Sequence, residues 1–185
     1  LFVIGITAWV HIWGGGLMYL PLQLCDLALF LTVIALMSQN KYRILGELAF
    51  FWGLSGSTQA LLTPDLREGF QSFTCFNFFA GHAGVVLGVL YLAVRGRLTV
   101  TLRSVWRVFF VTNLYVAVIG LVNWQLGTNF GYLARKPEQP SLLDYLGPWP
   151  IYIFWTEFIG LGLFFFCYVF YRWIDRLAGG MRDKT

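Results

Sequence analysis

The chain has 185 residues, of which 58% are hydrophobic and 19% aromatic, with 12% charged and a formal net charge of +4. Mean hydropathy is +0.67, and the charged fraction is about half of the roughly 25% usual in soluble domains. These values exclude a soluble enzyme, a disordered tail, a disulfide scaffold and a nucleic-acid module, and they describe a chain whose solvent is mostly lipid.

A bilayer core of about 30 Å needs about 20 apolar residues per helix. Six apolar runs follow one another: Leu1–Trp13, Leu17–Met37, Ile44–Leu62, Phe73–Val94, Val105–Leu126 and Trp149–Tyr171. The first is too short to span and opens on Leu, so further sequence upstream is expected. The pattern predicts an all-α polytopic membrane bundle of about six segments, in a single domain over 1–185. Pro21, Pro64 and Pro148 stand at predicted segment ends, where a proline costs a helix least. Gly53, Gly56 and Ser57, then Ala80, Gly84 and Gly88, form small-residue stripes suited to close helix packing.

Charge gives an orientation. Lys41 and Arg43 follow the second run, Arg95, Arg97 and Arg103 the fourth, and Arg172, Arg176, Arg182 and Lys184 the sixth. The alternate loops are poor in net charge. By the positive-inside rule, the Arg-rich loops and the C-terminus face the cytoplasm of a multi-pass cell-membrane protein. The high pI is thus an orientation signal and names no nucleic-acid partner. Trp13, Trp124, Trp149, Tyr152, Tyr171 and Trp173 lie near segment ends, as interface anchors do.

Polar residues inside the spans are costly and therefore informative. Counting from the external ends at about 1.5 Å per residue, Cys25 and Asp26 lie about 8–13 Å deep, His82 about 14 Å, Glu157 about 12 Å, Asn77 about 6 Å, and Gln59 and Asn123 about 5 Å. His11 and Gln23 fall on the same side. The other half holds Glu47, Asn113 and Cys167, with Glu47 placed to pair with Arg43 at i,i+4. The one-sided clustering suggests a polar cavity open to the external leaflet. Interhelical hydrogen bonding is the competing explanation.

Two members of the cluster carry chemistry. A thiolate is a strong nucleophile and an imidazole can accept its proton, so Cys25 and His82, at similar depths on different helices, form a candidate catalytic pair. Glu157 is the first choice to orient the imidazole, then Asn77 or Asn123. Asn77, Asn123, Gln59 and Trp124 are candidate donors to an oxyanion. Asp26 projects about 100° from Cys25 around the helix and suits a contact to another helix or a headgroup. Cys167 reads as packing. A Cys25–Cys75 disulfide is a minor alternative. Cysteine and histidine spacings match no metal site, and no cofactor is called for.

The run Leu20–Pro21–Leu22–Gln23–Leu24–Cys25–Asp26–Leu27–Ala28 resembles a helix start in the bacterial YwaF-like integral membrane proteins. So do Asn123–Trp124, Asn129, Tyr132–Leu133, Lys136–Pro137, Ser141–Leu142–Leu143–Asp144 and Gly147–Pro148–Trp149–Pro150. Phe79–Ala80–Gly81–His82 fits that family's histidine-bearing helix. Gln23 departs from the bacterial pattern, in which a histidine often stands there. The family is similar to a eukaryotic transmembrane acyltransferase that remodels phospholipids through a Cys and a His on separate helices, and more distantly to membrane lipid hydrolases that use Thr and His. The resemblance implies Cys25 as nucleophile, His82 as base, and phospholipid or lysophospholipid as partner. Small-molecule binding or transport, and a non-enzymatic structural role, are the rival functions.

Overall fold

The computed structural model describes residues 20–39, 41–64, 66 and 72–182. The predicted first segment, with His11 and Trp13, lies outside the described residues. Those described are helical apart from turns and loops. Helix α1 spans Leu24–Met37. Helix α2 spans Arg43–Trp52, a π-helical turn follows over Gly53–Ser57, and α3 continues over Thr58–Leu62. Then come α4, Phe73–Val94, α5, Leu102–Leu126, and α6, Ile151–Arg182. Short 3-10 turns, Phe130–Tyr132 and Leu142–Leu146, lie in the loop between α5 and α6.

Three helices, α4, α5 and α6, are long and apolar enough to cross a bilayer, and α1 is a shorter apolar helix. The 43–62 run stays helical through both of its junctions, giving 20 residues, or about 30 Å, of rod. Its π turn, Gly-Leu-Ser-Gly-Ser, carries two glycines and two serines, which favour a helix less than alanine does. Ser55 Oγ donates to the Phe51 carbonyl, the kind of local competition that loosens an α-ladder. The second segment begins later than its apolar run suggests: Pro21 sits in a bend and α1 starts only at Leu24. Cys25 and Asp26 therefore occupy the first turn of α1.

The core lies where α1, the 43–62 run, α4 and α6 meet. Ala28, Ala35 and Ala49 are fully buried there, as are Phe50 and Phe51. Phe50 packs edge-on to Phe51 and Tyr171, and Phe51 to Phe164. Cys167 is buried in this cluster, as expected of a packing residue. Elsewhere the long helices turn large apolar side chains outward: Leu87, Phe110, Leu114, Phe158 and Phe166 are exposed. An apolar exterior of this extent is stable in lipid and not in water.

Of the small-residue stripes, two glycines make the close approaches. A Cβ on Gly53 would stand 2.8 Å from Val85 Cγ1, and one on Gly88 2.7 Å from Thr32 Cγ2. Gly56 and Gly84 would meet nothing within 4 Å, so they do not bring helices together.

Glu47 is buried with its partners in place. Arg43 Nε donates to Oε1 at 2.7 Å, as the i,i+4 spacing predicts, Ser104 Oγ donates to the same oxygen at 2.8 Å, and Arg107 Nη1 donates to Oε2 at 2.9 Å. This network ties α2 to the start of α5. Two predicted interface anchors prove to be internal ties instead. Tyr152 and Tyr171 are buried, and their hydroxyls donate to the Tyr132 and Leu98 carbonyls. Trp124, Trp149 and Trp173 are exposed, as anchors should be.

Candidate functional site

Cys25 is half-buried and is a free thiol, as are Cys75 and Cys167, so the alternative of a Cys25–Cys75 disulfide is not realised. It is the second residue of α1. Its neighbour Asp26 lies within electrostatic reach of His82 on α4 and of Tyr115 on α5, and Cys25 itself acts on Tyr115. Three helices thus bring a thiol, a carboxyl, an imidazole and a phenol into one neighbourhood.

The imidazole is oriented by its own helix. His82 Nδ1 stands 2.8 Å from the Phe78 carbonyl oxygen, and its ring packs on that of Phe78 with centroids 4.2 Å apart. A carbonyl only accepts, so Nδ1 carries the proton. In the neutral ring Nε2 then holds the lone pair. The orienting group foreseen among Glu157, Asn77 and Asn123 is therefore a backbone carbonyl one turn away.

The other polar residues of the predicted cluster divide among separate tasks. Glu157 Oε2 accepts from Asn113 Nδ2 at 3.0 Å, joining α6 to α5. Asn113, assigned by depth to the opposite half, is thus the partner of Glu157. Asn123 is buried and engages the loop: its Nδ2 donates to Phe130 O at 2.9 Å, and its Oδ1 accepts from Phe130 N and Thr128 Oγ1, both at 2.8 Å. Gln59 Nε2 donates to Thr63 Oγ1, the residue just past the end of its own run. Trp124 is 80% exposed and points away from the interior, which removes it as an oxyanion donor. Asn77 lies half-buried on α4, five residues before His82. Glu157, Asn113 and Asn123 thus serve as ties between elements and do not share one cavity with Cys25, Asp26 and His82.

Tyr115, which the sequence did not single out, and Gln23, noted there for its depth and its departure from the bacterial pattern, both stand out here. Tyr115 Oη donates to the Leu22 carbonyl at 2.8 Å, and Gln23 Oε1 accepts from Gly131 N at 2.8 Å. Tyr115 is a hydroxyl in mid-helix within an apolar run, which must find an acceptor in lipid. That requirement was its available signal. Beside His82, Gly81 is half-buried with nothing within 4 Å of where a Cβ would stand, and Gly56 on the 43–62 run is the same.

The profile of the TMEM164 family matches residues 1–168, nearly the whole chain. No curated protein and no solved structure matches it. The chain belongs to the TMEM164 family and is a membrane protein with several spans in contact with lipid.

Proposed function

From that membership and the neighbourhood of Cys25, we propose a membrane-embedded acyltransferase or acyl hydrolase acting on phospholipid or lysophospholipid. The observation that carries the reading is the His82 tautomer: with Nδ1 donating to Phe78, Nε2 is left as a base, and Asp26, next to Cys25 in the sequence, lies within reach of that ring.

In the reaction, Cys25 Sγ attacks the ester carbonyl carbon while its proton passes to His82 Nε2. The carbonyl π electrons move onto oxygen, and Asn77 is the donor candidate retained for that oxyanion. Collapse breaks the carbon–oxygen bond, and the Nε2 proton passes to the departing alkoxide, leaving a thioester on Cys25. A lysolipid hydroxyl or water then attacks the thioester and gives its proton to Nε2. The thiolate leaves and is reprotonated. The space beside Gly81 and Gly56 suits an acyl chain lying between helices. The alternation of basic loops supports a C-terminus on the cytoplasmic side, with Cys25 towards the external leaflet.

The test is direct. Purified protein incubated with phospholipid should carry an acyl mass on the Cys25 peptide, and Cys25→Ala and His82→Ala should each abolish lipid turnover in a folded protein. Turnover that survives both substitutions would refute the reading. Saturable ligand binding that survives loss of Cys25, with no adduct, would favour a binding or transport role.

A further inference from the structure

We propose that Tyr115 and Gln23 are positioning residues for the Cys25 thiol, clamping the entry to α1 against α5 and the loop that follows it. The inference rests on the acyl-transfer reading for what the thiol does, but its first readout is independent of turnover.

The first turn of a helix has no intrahelical acceptors for its N–H groups and is the part most prone to fray. A nucleophile at the second helical position is held only as well as the residues just before it. Here those residues are Leu22 and Gln23, and both are tied to parts of the chain about a hundred residues away. Tyr115 Oη donates to Leu22 O, and Gly131 N donates to Gln23 Oε1, each at 2.8 Å. Gln23 is the N-cap of α1, yet its side chain makes no capping bond to its own helix. Its oxygen is committed to the distant loop instead.

Each anchor is itself fixed. The Tyr115 ring lies 6.0 Å from that of Trp52, whose Nε1 donates to Thr112 Oγ1 at 2.8 Å, one turn before Tyr115. Gly131 has φ +64°, and a Cβ there would stand 3.3 Å from Tyr115 Oη. The left-handed backbone thus brings the loop against the same hydroxyl that holds Leu22. Asn123 pairs with both backbone groups of Phe130, the residue before Gly131, and the Tyr152 hydroxyl donates to the carbonyl of Tyr132, the residue after it. The clamp therefore links α5, the loop and α6 to the Leu22 carbonyl and the Gln23 side chain, three and two residues before Cys25.

The experiment uses the full chain in lipid nanodiscs, with Tyr115→Phe and Gln23→Met, and Gln23→Glu as the variant that keeps an acceptor oxygen. The first readout is the rate at which N-ethylmaleimide alkylates Cys25, followed by peptide mass spectrometry, with the buried Cys75 and Cys167 as internal references. Loss of one ordinary hydrogen bond shifts a local opening by about fivefold, so Cys25 alkylation should rise by about that factor in Tyr115→Phe and Gln23→Met. Cys75 and Cys167 should not change, and Gln23→Glu should stay close to the parent. The second readout is lipid turnover, in which kcat should fall and KM stay constant. Cys25 alkylation equal to the parent in both variants overturns the proposal, as does a parallel rise at all three cysteines, which marks general loosening. If Cys25→Ala retains turnover, the acyl-transfer reading fails by itself, and the alkylation rates still decide whether the clamp exists.

Discussion

Gly84 and Gly88 lie one helical turn apart on α4, and the same substitution should act in opposite directions at the two. At Gly84 an added Cβ meets nothing within 4 Å, so Gly84→Ala gains the helix preference of alanine, about 0.5–1 kcal/mol. At Gly88 the added Cβ stands 2.7 Å from Thr32 Cγ2 and 3.2 Å from Leu36 Cδ1, both on α1. The Thr32 methyl has little space to retreat, because Thr32 is buried and its hydroxyl is bonded to Ala28 O at 2.7 Å. Overpacking of this kind costs about 1–3 kcal/mol, which exceeds the propensity gain. Melting of purified protein in detergent should therefore rise by roughly 2–3 °C for Gly84→Ala and fall by roughly 3–5 °C for Gly88→Ala, using about 2–4 °C per kcal/mol for a chain of this size. Thr32→Ser removes the clashing methyl and keeps the hydroxyl bond, so Gly88→Ala with Thr32→Ser should recover most of the loss relative to Thr32→Ser alone. That recovery is a coupling between touching residues, of the kind a double-mutant cycle isolates. Because α1 carries Cys25 and α4 carries His82, Gly88→Ala should also lower lipid turnover. A stabilising Gly88→Ala, or a double variant no better than the sum of the two singles, would refute the packing argument.

Glu47→Leu should destabilise the protein by about 2 kcal/mol: it leaves two guanidinium groups without their carboxylate, and their partial exposure lets water recover some of the loss. Thermal melting checks this, and Arg43→Ala with Glu47→Leu should cost less than the two separate losses combined. Asn123→Ala removes three hydrogen bonds and leaves Phe130 N without its partner. Limited proteolysis within 128–148 should accelerate by tenfold or more, an opening of about 1.4 kcal/mol or greater, while the spans stay protected.

The long helices were legible because an uninterrupted apolar run about 20 residues long has few alternatives in lipid. Phe73–Val94 came out with the same ends in sequence and structure. Where α1 begins was less legible, since the apolar character runs on through Pro21 while the helix does not. Depth along a helix was countable, but rotation and register between helices were not, and these decide which polar groups meet. Hence Glu157 reached Asn113 and not His82, and Tyr152 turned inward. Glu47 and Arg43 were readable as a pair because one helix holds both; Ser104 and Arg107 were not, being some sixty residues away. The orienting bond on His82 escaped notice because a backbone carbonyl leaves no mark in a sequence.

The π turn at Gly53–Ser57 has a consequence for how this rod compares with others. A π turn accommodates one more residue than an α turn while the flanking pieces continue with little change of axis. Relatives that run a regular α-helix through this position would superpose on both α2 and α3 only with one residue fewer between them. Within 53–57, then, a single-residue deletion would leave the inward faces on either side undisturbed. Elsewhere along this rod the same deletion would rotate everything beyond it by about 100° and turn core side chains toward lipid.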